Sequence, residues 1–493
     1  MGGEVHAGIA LAALAFGFSR WVDRPLGCAL ATGGAFGFGL ALGSAHWVPA
    51  AVVSLGATPL QAAVTSLILG VWLGSLPYSV IAAGVWLAGS APRWLQATLV
   101  GGIVYLLETG LDGFALDLPW TRLGHAFVWD LDLAGVLSMG GVPAVSAIAA
   151  TPSAAFGFWW SNRRSKRASP ARTWVLPVLL LLTLAMVAET EAGSTAPATE
   201  GPGSLRVLGI QPRLPRSGRW DPELQPLHLD RLSRFSLRAI AEVGEPPDVV
   251  LWPENVVTLP IDDARIEDAL RRSIAKLGVP LLAGLQARAA DRRDGGSARS
   301  SGVYLFRRDA VVVDRVEKER PVPGFESRPE HWLAVDLMKM LLGGALAAEP
   351  VVPGPESRAS QGQLVRLLCF EALFPPVAAR RRSDDSAGIV VLADDSWIER
   401  PSARRQLAML ATLRSAELGL PLMRIAHGGI SLRTDARGRV VEALALNEWG
   451  AIEARWPTRR TEARRADAAA ADSALRRFRS FVKGSQIKGG RRT

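Results

Sequence analysis

The sequence predicts a multi-span α-helical membrane domain followed by an α/β domain. Three observations lead there. Charge is unevenly spread: residues 1–200 carry 9 Lys+Arg and 10 Asp+Glu, while residues 201–493 carry 47 and 36. Apolar stretches approaching the length that crosses a bilayer core, about 20 residues, recur only in the first part. Beyond Leu205, short apolar runs alternate with amphipathic helical segments, the pattern of layered α/β domains. The whole-chain averages, 49% apolar residues and a mean hydropathy of +0.18 over 493 residues, blend these unlike parts. A single soluble globule, a disordered chain and a disulfide scaffold are excluded.

In the membrane domain, residues 1–188, six segments are expected to span or nearly span: 6–19, 26–44, 61–88, 94–111, 133–160 and 173–188. Pro77 is expected to kink the third. Glu108 is an acidic residue within the fourth. The Gly-rich run 33–43 suits close helix packing in lipid. Lys and Arg in alternate loops set the orientation. Arg20 and Arg24, then Arg93, then Arg163, Arg164, Lys166 and Arg167 mark the cytoplasmic side. Asp112, Asp117, Asp130 and Asp132 mark the outside, so everything after Ala188 is expected to lie outside the cytoplasm. No Lys or Arg precedes the first apolar stretch, which argues against a cleaved signal peptide.

Residues 189–204 (ETEAGSTAPATEGPGS) read as a linker. The α/β domain is assigned to 205–456. Strands are expected at 205–211, 248–252, 280–286, 364–370 and 388–392, a hairpin at 303–316, and helices at 222–243, 264–277 and 401–418. The remaining stretch to Leu446 reads as strands around the turn Asp435-Ala436-Arg437-Gly438. Residues 457–493 form a basic tail, 11 Lys+Arg against 3 Asp+Glu, expected to be disordered or to lie on anionic headgroups. The tail accounts for most of the net charge of +10, so a nucleic-acid partner is not expected.

Two cysteines, Cys28 and Cys369, fall in the two different parts and are not expected to pair. Six scattered histidines form no HxH or HExxH pattern, so neither a metal nor a cofactor is expected. Glu254 ends a strand, Lys318 follows the hairpin and Cys369 closes another strand. A thiol, with a free pKa of about 8.5, attacks as its thiolate. A carboxylate can take its proton and an ammonium can stabilise the thiolate and a later oxyanion. These three groups suffice for acyl transfer without a histidine. Spacing alone does not bring them together. Each also has a plain structural reading: a small buried hydrophobe for Cys369, a helix-capping carboxylate for Glu254, a solvated charge run for Lys318.

The surrounding motifs change that balance. VVLWPENVV (249–257), DRVEKERPVPGFE (314–326), LLCFEALFP (367–375) and the stretch from ADDSW to HGGIS (393–431) resemble, in order, the conserved stretches of the nitrilase, or carbon–nitrogen hydrolase, superfamily. With GFGLALGSAHWVPAAVVSLGATP (37–59), ETGLDGFALDLPWTRLGHA (108–126) and GIQPRLPRSGRWDP (209–222), the chain resembles its membrane-anchored branch, the apolipoprotein N-acyltransferases, from about Arg24 to Leu446.

That resemblance implies a nitrilase-like α-β-β-α sandwich. It implies Glu254 as general base, Lys318 as oxyanion stabiliser and Cys369 as nucleophile. Trp220, Glu326, Phe370, Glu371 and Trp397 fall at substrate-binding or supporting positions. It further implies a monomeric, multi-pass protein of the bacterial cytoplasmic (inner) membrane, with its catalytic domain on the periplasmic side. The acyl donor would be a phospholipid and the acceptor a diacylglyceryl lipoprotein. The family has eight spans, so the first and last are expected to be missing here. Phe370 stands where the family has tyrosine, Asp394 and His427 where it has asparagines, and Leu407 where it has histidine. Gly324 and Phe325 are exchanged. A membrane-tethered amidase and a degenerate non-catalytic paralogue remain alternatives.

Overall fold

The computed structural model describes residues 7–110, 118–128, 133–162, 204–213, 221–289, 298–327, 332–343, 350–357 and 363–458. Among the described residues, the α-helices of its N-terminal part are α1 (Ala7–Phe18), α2 (Leu26–Ser44), α3 (Val48–Ser54), α4 (Pro59–Gly70), α5 (Leu76–Leu87), α6 (Arg93–Gly110) and α7 (Ala134–Asn162). Among the described residues, three helical stretches are long and apolar enough to cross a membrane: Leu26–Ser44, Pro59–Leu87 and Ala134–Ser161. The six expected segments therefore fare differently. Three qualify. The first is a helix of 12 residues, about 18 Å long and short of a 30 Å core. The fourth is helical but carries Arg93 and Glu108 near its two ends. The sixth, 173–188, lies outside the described residues, as do residues 189–203 of the linker and 459–493 of the tail.

The third segment is interrupted, as Pro77 suggested, by a π-helical turn over Val71–Ser75 that joins α4 to α5. Proline lacks the N–H that would bond the carbonyl four residues back, and the widened turn absorbs the mismatch. α2 packs across this turn through Gly37 and Gly74. A Cβ placed on Gly37 would come within 2.2 Å of the Gly74 carbonyl oxygen, so only glycine permits the approach. α7 is not one continuous helix. Gly141 adopts φ 64°, ψ −164° two residues before Pro143 and breaks it near its start.

The C-terminal part is an α-β-β-α sandwich. One sheet runs β11-β1-β2-β3-β4-β5, with β1 (Leu205–Gln211), β2 (Val249–Glu254), β3 (Leu281–Arg288), β4 (Arg299–Phe306), β5 (Val312–Glu317) and β11 (Gly450–Trp456). The other runs β10-β9-β8-β7-β6, with β6 (Leu364–Leu368), β7 (Gly388–Asp394), β8 (Leu422–His427), β9 (Leu432–Thr434) and β10 (Val440–Ala443). Strands β1–β3 and β6–β8 are parallel, and antiparallel strands extend each sheet.

Side-chain alternation assembles the layers. Leu251, Leu282, Val390, Leu392, Met423 and Ile425 meet between the sheets. Val250 and Trp252 face α8 (Gln225–Glu242) and α9 (Ala264–Leu277) on one outer side. Ile389 and Val391 face α11 (Pro375–Arg381) and α12 (Pro401–Leu418) on the other. With both faces covered, β2 and β7 read as unbroken apolar runs. The helices at 264–277 and 401–418 match the sequence expectation, whereas β6 stops at Leu368, one residue before Cys369.

The α12 side of the sandwich packs on the membrane helices in one apolar cluster. Polar contacts fix the seam. Trp47 Nε1 donates to Gln406 Oε1 at 2.7 Å, Gln406 Nε2 to the Ser44 carbonyl at 3.1 Å, and Ser54 Oγ to the Trp397 carbonyl at 3.3 Å. A further helix, α10 (Trp332–Leu342), meets α4 of the membrane part. Its final carbonyls on Met340 and Leu341 accept from Gln61 and Thr65 of α4.

Candidate active site

Three strand ends converge. Glu254 is the last residue of β2, Lys318 follows β5, and Cys369 follows β6 and opens a 3-10 turn through Leu373. Gly284 on β3 lets β2 come close: a Cβ there would lie 2.7 Å from the Glu254 Cα. Cys369 has φ 48°, a left-handed conformation that non-glycine residues rarely adopt. Cys369 is half-buried and Cys28 exposed, and both are unbridged, so the two do not pair.

Lys318 is completely buried. Its Nζ donates to Glu254 Oε1 at 3.0 Å and to Glu326 Oε1 at 2.7 Å. The other Glu326 oxygen accepts the Val322 N–H at 2.7 Å and shapes the loop between them. Burial alone would lower the Lys318 pKa, but the charges of Glu254 and Glu326 push it well up, so the side chain is an ammonium. Burial raises Glu254 to about 7, aided by Glu326 and Asp394 and opposed by Lys318. Burial also pushes the Cys369 thiol up. Glu254 adds to that rise and Lys318 opposes it, so all three groups interact electrostatically.

Beside Cys369 lies an apolar cleft of ≈ 430 Å³, part of it open to solvent. Its walls come from both parts of the chain and are mostly apolar: Trp47 and Trp120 from the membrane part, Val322, Phe370, Trp397 and Leu407 from the sandwich, with the Asp395–Arg424 pair also lining it. Trp47 stacks on Trp120 with ring centroids 5.2 Å apart, and Phe370 meets Trp120 edge-on at 6.0 Å. Trp397 packs against Phe325 at 5.8 Å. Glu371 is buried away from the cleft and accepts the Leu368 and Glu319 N–H groups at 2.9 and 2.6 Å.

The sequence-selected residues thus gather at one place, except Trp220, which lies outside the described residues. Asp394 accepts from Ser396 Oγ at 2.7 Å and Asn255 Nδ2 at 3.3 Å, and Asp395 is held by both its oxygens on Arg424 Nη2. Among the described residues, no group of three or more His, Cys, Asp or Glu is arranged to hold a metal ion. Reasoning from sequence missed the cleft tryptophans, although both sit in segments that carried the resemblance.

No family model matches the chain. A protein of Geobacter metallireducens named apolipoprotein N-acyltransferase is 26% identical over 345 residues, covering 68% of this chain and 63% of that protein. This chain therefore matches less than two thirds of that relative's length. Proteins of the same name from Sinorhizobium medicae (27% over 441 residues, 86% of this chain and 79% of the other) and Brucella melitensis (29% over 283 residues, 54% and 51%) are also similar. Among solved structures, an amidase from Nesterenkonia sp. aligns with 53% of this chain and 93% of its own, at 19% identity and a TM-score of 0.36. A mutant of the Nesterenkonia AN1 amidase, from the nitrilase superfamily, aligns with 56% and 99%, at 20% identity and a TM-score of 0.37. The Sinorhizobium match is too long to be confined to the sandwich, so in both its membrane part and its α-β-β-α part this chain resembles the apolipoprotein N-acyltransferases.

Proposed function

We propose that this protein is a membrane N-acyltransferase. It moves a fatty acyl chain from a phospholipid to the α-amine of the N-terminal diacylglyceryl cysteine of a lipoprotein, through a thioester on Cys369. The observation that carries this reading is the apolar cleft beside Cys369, walled by aromatic side chains from both parts of the chain. A pocket for a small polar amide has no need of such walls, whereas an acyl chain is sheltered by them.

In the first step Glu254 takes the Cys369 proton and the sulfur attacks the ester carbonyl. The Lys318 ammonium, with the Phe370 N–H, stabilises the oxyanion. The C–O bond breaks, the proton returns from Glu254 to the leaving glycerol oxygen, and a lysophospholipid departs. In the second step the acceptor amine attacks the thioester carbonyl and gives a proton to Glu254. The C–S bond breaks, that proton returns to the Cys369 sulfur, and an amide remains. The alternating Arg and Lys loops support a cytoplasmic-membrane location with the sandwich on the outer side. Both substrates, being lipid-anchored, would meet the cleft at the bilayer surface.

The test is to mix the purified full-length protein with a phospholipid carrying an isotope-labelled acyl chain and to weigh the peptide containing Cys369. Wild type is expected to gain the mass of one acyl group in place of the thiol hydrogen, and then to pass that group to a diacylglyceryl-cysteine peptide. No adduct in wild type, or the same adduct in Cys369→Ala, would overturn the thioester. Release of free fatty acid with none reaching the peptide would make the protein a hydrolase.

With Glu254 at about 7, the rate of thioester formation is expected to fall on the acid side with a midpoint near that pH, because a protonated Glu254 cannot accept the thiol proton. A single-turnover pH series checks this. A flat profile between pH 5 and 8 would remove Glu254 from the role of base.

A further inference from the structure

We infer that Arg381 is a positioning residue, which holds the strand ends bearing Cys369 and Lys318 in register through Glu371. The inference rests on the reading of Cys369 as nucleophile.

Arg381 stands in the run Arg380-Arg381-Arg382, where a sequence reader sees only surface charge. Of the three, Arg382 is exposed, Arg380 is half-buried and Arg381 is buried. Its guanidinium forks onto Glu371, Nη1 to Oε2 at 2.8 Å and Nη2 to Oε1 at 2.9 Å. This paired geometry is available to arginine and not to lysine. The same two nitrogens donate to the carbonyl of Arg366 in β6 at 2.8 Å and of Glu317, the residue before Lys318, at 3.2 Å. Nη2 also reaches Glu319 Oε1 at 2.9 Å, and Nε reaches Ser357 Oγ at 3.1 Å.

Glu371 completes the bridge. One of its oxygens accepts the N–H of Leu368, just before the nucleophile, and the other that of Glu319, just after Lys318. A single ion pair therefore ties the backbone on either side of the reacting groups without touching substrate. The geometry it secures is unfavourable locally: Cys369 at φ 48° persists only where its surroundings over-determine it. One further contact balances the charge: Glu319, the second carboxylate on Arg381, meets Arg380 Nη2 at 2.6 Å through its Oε2. Without the Arg381 fork, Glu371 is left as a buried carboxylate facing only backbone donors, and the Cys369 turn is free to relax.

The experiment compares wild type, Arg381→Lys, Arg381→Met and the exposed control Arg382→Met as full-length proteins in detergent. Two readouts are taken: single-turnover acylation of Cys369 by phospholipid, and alkylation of Cys369 by iodoacetamide from pH 5 to 9. Arg381→Lys keeps the charge and loses the fork. It is expected to slow acylation on the order of 100-fold, the scale of an ångström-sized misplacement, and to shift the pH profile of alkylation. Arg382→Met is expected to match wild type in both. Arg381→Met is expected to be at least as impaired as Arg381→Lys, and should it fail to fold, the lysine variant still decides. Alkylation of Arg381→Lys with a wild-type rate and pH profile would overturn the inference. No acylation in wild type, with alkylation still dependent on Arg381, would overturn the acyl-transfer reading and leave the positioning role standing.

Discussion

Replacing Lys318 with methionine is expected to abolish thioester formation and to destabilise the α/β part together. The ammonium is fully buried between Glu254 and Glu326 at 3.0 and 2.7 Å. Methionine fills similar space but leaves the buried Glu254 and the partly exposed Glu326 carboxylates without their shared cation. Breaking a buried ion pair from one side costs about 3–5 kcal/mol, because the remaining charge is uncompensated. The remaining carboxylates escape part of that cost by taking up a proton. Glu254, already raised to about 7, then moves higher and ceases to serve as a base at neutral pH. Loss of an oxyanion donor alone removes about 100-fold to 1000-fold in rate. Thermal unfolding in detergent and single-turnover acylation measure the two effects. The double variant Lys318→Met with Glu326→Gln separates them, since it is expected to regain stability and not activity. Wild-type acylation by Lys318→Met would show that this lysine plays no part in the reaction.

Glu417→Ala is expected to weaken the joint between the sandwich and the membrane helices, by about 3–5 kcal/mol on the same argument. Arg414 Nη2 donates to Glu417 Oε1 at 2.7 Å, with side chains 2% and 7% exposed. A second buried cation, Arg122, interacts with both, and burial lowers the pKa of both arginines and raises that of Glu417. On the membrane side, Glu108 accepts the Leu123 N–H at 3.0 Å and the Ser146 hydroxyl at 2.6 Å. A Cβ built on Gly141, where α7 breaks, would lie 3.6 Å from Glu417 Oε1. Removing Glu417 leaves the buried Arg414 guanidinium without its carboxylate at this seam and takes one of two nearby negative charges, with Glu108, away from Arg122. The unfolding midpoint should drop by several degrees and Glu417→Gln should lose less. Removing Asp309, an exposed partner of Arg307, should change nothing measurable. An unchanged midpoint in Glu417→Ala would mean that the seam does not depend on this pair.

Much of this was legible before folding. The helix at 264–277 announces itself by period, and both it and the helix at 401–418 end at a glycine with positive φ, Gly278 and Gly419. The runs DVVLW and GIVVL read as strands covered on both faces, and that is how β2 and β7 lie. Two boundaries slipped for local reasons. β2 continues through Pro253 to Glu254, and Cys369 falls just beyond β6 because its left-handed backbone cannot extend a strand. The last strand, β11, was not marked at all. It pairs antiparallel with β1 from the far end of the domain, and no short-range pattern shows such a partner.

The chemistry-bearing residues were legible as types in motifs: a carboxylate after Trp-Pro, a lysine after a hairpin, a cysteine at a strand end. The sequence by itself determined which groups are available and that an apolar first part precedes a charged α/β part. Only the tertiary structure decided that Lys318 sits between Glu254 and Glu326, that Trp47 and Trp120 wall the cleft, and that one arginine of three is buried. The physical reason is common to all three. Burial and charge pairing depend on residues distant in the chain: Trp47 and Gln406 share a hydrogen bond across 359 positions, and Glu254 and Lys318 across 64. Local periodicity carries no information about which of those partners will meet.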